Sequence, residues 1–439
     1  MGTISRQRRD EVIDALRRGT VPVQGLDLLA VGLEPFADTL ADELQAVAAG
    51  GARFKAVRGE YGTGKTFLSR WLSEQGRQMN FATAEVQISE TETPLHRLET
   101  VYRRMMERLG IPGTPAGALR NILDGWFYTL EEDVLADGSV SANDHEELLA
   151  RSELLMEKRL EGVTRSAPMF SVALRGYHQA KARGDASHAD GIAAWIAGQP
   201  NVAASIKRKA GIKGDIDHFG AMSFLQGLLT VLRDSGYAGL YLVLDEVETI
   251  QRVRGDVRDK SLNALRQLID DIDSGRFPGL YMLITGTAAF YEGPQGIQRL
   301  EPLAQRLHAD FGTEARFDNP RAVQVRLSAF SLEKLCEVGH KVREVYVSHA
   351  KAPERILRKS DNAYITELAQ AIAGKLGGKI GVTPRIFLKK LVSDVLDRID
   401  QFDDFDPHRH YQLTLQDAEM TATERQAASA ISVDDIELP

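Results

Sequence analysis

Eight consecutive residues, Gly59-Glu60-Tyr61-Gly62-Thr63-Gly64-Lys65-Thr66, fit the pattern G-x-x-x-x-G-K-[ST]. An apolar run, Phe54-Lys55-Ala56-Val57, leads into them, and a helical pattern from Lys65 to about Gln78 follows. In that setting Gly59, Gly62 and Gly64 permit a tight turn whose backbone N–H groups can approach phosphate oxygens. The turn opens a helix whose dipole already favours anions. Glu60, Tyr61, Thr63 and Phe67 complete the cradle and its helical edge. Lys65 offers a point charge to the β- and γ-phosphates, and Thr66 a hydroxyl to Mg2+. The competing reading is an ordinary glycine turn.

Phosphate chemistry of this kind needs a second acidic element, and Leu240-Tyr241-Leu242-Val243-Leu244-Asp245-Glu246 supplies it. Two carboxylates closing an apolar strand are costly to bury without a cation or a reacting water. Asp245 is expected to hold Mg2+ through water, and Glu246 to orient and polarise an attacking water. Glu248 either joins them, faces solvent or pairs with an arginine. The run Leu280-Tyr281-Met282-Leu283-Ile284-Thr285-Gly286-Thr287 is a further buried strand ending in hydroxyl residues. Thr287 is the first choice, and Thr285 the second, for a polar group between Glu246 and the γ-phosphate; capping of the next helix is the alternative. In Gly381-Val382-Thr383-Pro384-Arg385, Thr383 reads as an N-cap and Pro384 as the first helical residue. Arg385 then falls where the helix dipole disfavours a cation, so it answers either to an anion outside the helix, such as a γ-phosphate, or to a salt bridge. Arg299 and Arg306 lie on a predicted helix; Arg306 is the better candidate to reach a neighbouring subunit's nucleotide, against the ordinary role of a surface arginine.

These residues have to be positioned by a sheet. Apolar runs at Phe54–Val57, Phe81–Ile88, Gly239–Leu244 and Leu280–Thr285, alternating with helical periodicity such as Leu95–Leu109, predict an α/β fold with a parallel sheet and helices on both faces. Ligands of such sheets bind at the carboxyl ends of the strands. The long segment from about Gly113 to Asp217, rich in Leu, Ala, Arg and Glu, predicts a helical insertion. After Asn319-Pro320 a short strand, Val323–Leu327, precedes predicted helices at Ser331–Val347, Asp361–Lys375 and Thr383–Ile399. The expected domains are a lead-in (1–30), a core (31–320), a helical lid (321–400) and an acidic tail (401–439).

The composition, 43% hydrophobic and 26% charged over 439 residues, is that of a folded protein of two or three domains. One cysteine, Cys336, excludes a disulfide framework and a cysteine-built metal site. No secretory leader or stretch of about 20 apolar residues is legible, so a cytoplasmic protein without a membrane span is expected. The net charge of −8 argues against an evenly basic DNA binder. Two local clusters keep a nucleic-acid face open: Arg6, Arg8, Arg9, Arg17 and Arg18, and Lys207, Arg208, Lys209 and Lys213. Solvated helix faces are the alternative.

The glycine loop, the Asp-Glu strand end, the polar strand end and the Gly-x-x-Pro-Arg helix start, in this order, resemble the AAA+ P-loop ATPases, especially their origin-recognition-like branch. The resemblance implies ATP and Mg2+, a lid bearing Arg385, and adenine near Val21-Pro22-Val23 and Val31-Gly32-Leu33-Glu34-Pro35-Phe36. More narrowly, the chain resembles the BrxD-type ATP-binding proteins of bacterial BREX phage-defence systems. This likeness rests on Val31-Gly32-Leu33, Arg58 to Thr66, Gly236-Tyr237-Ala238-Gly239-Leu240, Leu244-Asp245-Glu246-Val247-Glu248 and Asp435-Ile436-Glu437-Leu438. It implies a component of an anti-phage complex acting with a helicase, a methyltransferase or other defence subunits on DNA, with a homo-oligomer as one arrangement. The alternative is a nucleotide switch that docks a helicase or nuclease with little turnover of its own. No winged-helix segment follows the lid, a departure from the origin-recognition pattern.

Overall fold

The computed structural model describes residues 4–138, 140–312, 314–375 and 384–413. Strands β1 (Arg53–Arg58), β2 (Ala82–Gln87), β3 (Leu240–Asp245), β4 (Leu280–Gly286) and β5 (Gln324–Arg326) form one parallel sheet in the order β2-β3-β4-β1-β5. The alternation of side chains along β3 explains why it is apolar at nearly every position. Leu240, Leu242 and Leu244 enter one core, while Tyr241 and Val243 enter another. A strand covered on both faces cannot alternate between apolar and polar.

Helices Glu34–Ala48 and Lys65–Gln78 cover the Tyr241 face with Leu40, Leu44, Leu68 and Leu72. Helices Leu98–Arg108, His218–Asp234 and Gly255–Asp273 cover the opposite face with Val101, Leu228 and Leu265. A buried leucine contributes about 2 kcal/mol, and a slip of one residue would exchange the two faces. The register, with Leu242 opposite Met282 and Gln87 opposite Asp245, is therefore strongly specified. This is the α/β arrangement with helices on both faces expected from the sequence. Even the buried Lys55 of β1 is accommodated: it pairs with Glu43 at 2.6 Å and donates to the carbonyls of Pro320 and Ala322.

Between β2 and β3 the chain forms helices, among them Leu119–Ala136, His145–Arg159, Pro168–Ala182 and Ala186–Ile196. Trp126, Phe127, Leu174 and Trp195 bury themselves in the same core as one sheet face, so the insertion thickens that layer.

A further core gathers Leu335, Val342, Ile365, Leu391 and Val395 from the helices beyond Ser331. The helix that starts at Pro384 differs from expectation: after Lys389 it runs through a π segment, Lys390–Leu396, before Asp397–Gln401. The N-terminal helix Arg6–Arg18 joins this same core through Val12, Ile13 and Leu16. Arg17 adds a bidentate pair to Asp397 at 2.7 and 2.8 Å, and Tyr346 donates to that carboxylate at 2.7 Å. The first turn of the tail is packed too, with Phe405, Tyr411 and Leu413 against the lid core. Gly381, Val382, Thr383 and the Asp435–Leu438 motif lie outside the described residues. Among the described residues no helix is long and apolar enough to cross a membrane.

Candidate nucleotide site

Parallel strands bring their carboxyl ends to one edge, and β4 lies between β1 and β3. The glycine loop leaves β1 there, with the Gly59 amide donating to the Gly286 carbonyl at 3.1 Å. A Cβ on Gly59 would lie 2.3 Å from Thr63 Oγ1, and Gly64 enters the helix at φ +94°. Both positions exclude side chains on these grounds. Lys65 is buried and curls back, donating to the carbonyls of Gly59 at 2.7 Å and Glu60 at 3.2 Å, with its ammonium 5.2 Å from the Tyr61 ring centre. Burial pulls this ammonium below the ordinary lysine value, against the opposing charges of Glu248, Asp245 and Glu60.

Thr66 Oγ1 donates to Asp245 at 3.3 Å. The Thr285 hydroxyl donates to the other oxygen of the same buried carboxylate and accepts from the Glu246 amide at 3.0 Å. Glu246 has left-handed backbone, φ 59° and ψ 44°. The other described non-glycine residues with positive φ are Asn80 and Asn201, which tolerate that region. A glutamate does not, and such a placement costs roughly 1–3 kcal/mol. The Glu246 carboxylate accepts from Gln87 Nε2 at 2.8 Å.

Most of the loop and the strand-end acids line a cavity of about 630 Å3, within the range of small-molecule sites. Residues Glu60 to Phe67, Asp245, Glu246 and Glu248 form its charged wall. Val21, Pro22, Val31, Leu33, Pro35 and Phe36 form an apolar wall, and Phe330, Lys334, Pro384 and Arg385 face it from the lid. The two segments expected near the base are thus brought together, except that Val23 and Glu34 point away. The helix after the loop holds the first segment in place. Arg70 donates to the Val21 carbonyl at 2.9 Å, and the Glu74 carboxylate accepts from the amides of Gly25 and Leu26.

Other candidates lie elsewhere. Thr287 is buried at the start of helix Ala288–Glu292; neither it nor Thr285 lines the cavity, but Thr285 touches both strand-end acids. Arg306 pairs with Asp270 at 2.5 Å and Arg299 with Asp259 at 3.0 Å, both away from this cavity. Several members of the basic clusters are paired within the chain, as Arg9 is with Asp10, Lys207 with Asp215 and Lys209 with Asp185.

Glu248 corrects the expectation that it faces solvent or pairs with an arginine. It is 4% exposed, and neither carboxylate oxygen has a hydrogen-bond partner on another residue. The left-handed Glu246 turns the chain into a short 3-10 helix, Val247–Arg252, which folds Glu248 back beside the loop. Gln87 was not foreseen at all; the one available signal was a polar residue at the end of an apolar strand.

A phosphate cradle, an acidic strand end and an apolar wall thus share one cavity. The family model for the BREX system ATP-binding protein BrxC/D matches residues 4–415. The chain belongs to that family. No curated protein matches it. As a BrxC/D-type ATP-binding protein it is a component of BREX anti-phage systems, and the BrxC/D match extends from the N-terminal helix through the lid to the packed start of the tail.

Proposed function

We propose that this BREX component hydrolyses ATP in the described cavity and uses the cycle to move the lid. The observation that carries the reading is the contact set at the strand ends: Thr66 and Thr285 both reach Asp245, and Thr285 also fixes the Glu246 backbone. Lys65 would leave the carbonyls of its own loop for the β- and γ-phosphates. Glu246 would orient and polarise the attacking water. Thr285 is the better placed of the two threonines to act between Glu246 and the γ-phosphate, so that role moves from Thr287. Arg385 would answer the phosphates from the lid, and Arg306 would act on a neighbouring copy only after leaving Asp270.

Thr66 and Asp245 are the residues that would hold Mg2+, which when bound neutralises phosphate charge. Among the described residues no group of three or more His, Cys, Asp or Glu side chains could hold a metal ion. That suits an ion that takes one or two protein ligands and the rest from phosphate and water.

Steady-state ATP hydrolysis with and without duplex or single-stranded DNA tests the reading. Lys65→Ala is expected to abolish nucleotide binding, and Glu246→Gln to bind ATP but lose turnover by about 100-fold or more. Normal hydrolysis by Glu246→Gln would remove Glu246 as the base. A second reading, a slow switch that docks a helicase or nuclease in the cytoplasm, is favoured by one contact: Gln87 ties up the Glu246 carboxylate. Tight ATP binding with negligible turnover, with or without DNA, would select it.

A further inference from the structure

The acids at this sheet edge are not equally provided for. Asp245 accepts from two hydroxyls and Glu246 from Gln87, whereas Glu248 is the most buried of the three and accepts from no other residue. A carboxylate taken out of water without a hydrogen bond or ion pair costs several kcal/mol, and the cost persists only where other charge offsets it. Lys65 is the cation that does so. It makes no ion pair with Glu248, since its donors are turned to the Gly59 and Glu60 carbonyls, yet Glu248 is the strongest of the carboxylates acting on its charge. Burial pushes Glu248 up to about 7, and Lys65 is the main influence in the other direction. Asp245 and Glu246 add repulsion, and the phenols of Tyr61 and Tyr291 also lie within its field.

A bound polyphosphate changes every part of this balance. It claims Lys65, and it sets negative charge on the same wall of the cavity as Glu248. We propose that Glu248 is an affinity-setting residue, a built-in rival of the phosphates for Lys65, which opposes nucleotides in proportion to their charge and so limits how tightly ATP is held. The inference rests on the reading of residues 59–66 as the phosphate loop. It gives this glutamate a task distinct from that of Glu246: it loosens binding rather than activating water.

The test is calorimetric titration of the full chain with ATP, ADP and adenosine at pH 8 and constant Mg2+, where Glu248, raised to about 7, is mostly ionised. Glu248→Gln is expected to bind ATP about tenfold more tightly, the effect of removing one like charge from a mostly buried site. The gain should shrink for ADP and vanish for adenosine, and Glu248→Asp, which keeps the charge, should stay near the wild type. Glu248→Ala carries the same prediction as Glu248→Gln should the amide impair folding. Unchanged or weaker ATP binding by a neutral variant that melts no lower than the wild type would overturn the proposal. An equal gain for all three ligands would also overturn it, since that reports repacking rather than charge. Wild-type affinity in Lys65→Ala would instead defeat the loop reading on which the proposal stands.

Discussion

Glu246 is held at three points: a left-handed backbone, an amide bonded to Thr285 and a carboxylate bonded to Gln87. The first two fix where the carboxylate originates, and the third fixes where it points. An amide that donates to a general base lowers its readiness to take a proton. Gln87→Ala should therefore raise basal ATP turnover a few-fold while leaving ATP affinity unchanged, as read from kcat and KM. A loss of turnover would mean that Gln87 aims Glu246 at the water instead of restraining it. Glu248 makes a separate prediction about stability. Its carboxyl is raised to about 7 in the fold, from an ordinary value of 4.5. A raised folded-state value means full stability below about pH 4.5 and a loss as the pH rises through 7. Glu248→Gln should therefore be more stable than the wild type by about 2–3 kcal/mol at pH 8.5, with the gap closing near pH 4.5. Thermal melts at the two pH values measure this; equal melting temperatures at pH 8.5 would mean that the carboxylate is solvated.

The element that presents Arg385 to the cavity is secured from a distant part of the chain. Its π segment leads into Asp397, which Arg17 of the N-terminal helix and Tyr346 hold in place, while Leu16, Gly19 and Thr20 from the end of that helix line the cavity. Arg17→Ala would leave the buried Asp397 short of its partner, at a cost of about 1–2 kcal/mol because Arg17 itself is partly exposed. The expected result is a lower melting temperature and severalfold weaker ATP binding; unchanged binding would show that the N-terminal helix is only packing. Little of this was legible in the sequence. The strands were, because a parallel sheet covered on both faces writes itself as continuous apolar runs such as Leu240–Leu244, and the glycine loop was, because its chemistry is local. The union of residues 12–16 with the core residues beyond Leu335, more than 300 positions away, leaves no local mark. The inward turn of Glu248 depends on one backbone angle at Glu246, and Thr285 is preferred over Thr287 only once the register of β4 against β3 is known.

The cavity is bordered by two hydrophobic cores, with Leu33, Phe36 and Leu327 from the sheet side and Leu16, Val31 and Val338 from the lid side. Nucleotide that touches both must couple their stabilities, so saturating ATP should raise the melting temperature of the chain as one unit. A rise confined to one of two resolved transitions would contradict this. The same geometry decides where a truncation can begin. Lys359 donates to the carbonyls of Asp403 and Phe405, and Tyr411 donates to Asp394 at 3.1 Å while its ring packs on the lid core beside Phe405 and Leu413. Removing residues 401–439 strips these groups from the lid and should cost about 2–4 kcal/mol, mostly lost apolar burial, together with weaker ATP binding. Removing residues 414–439 spares every one of those contacts. Loss of a BREX partner in pull-down from the 414–439 deletion, with hydrolysis intact, would assign docking to that segment and favour the switch reading. Retention of every partner would leave docking to residues 1–413.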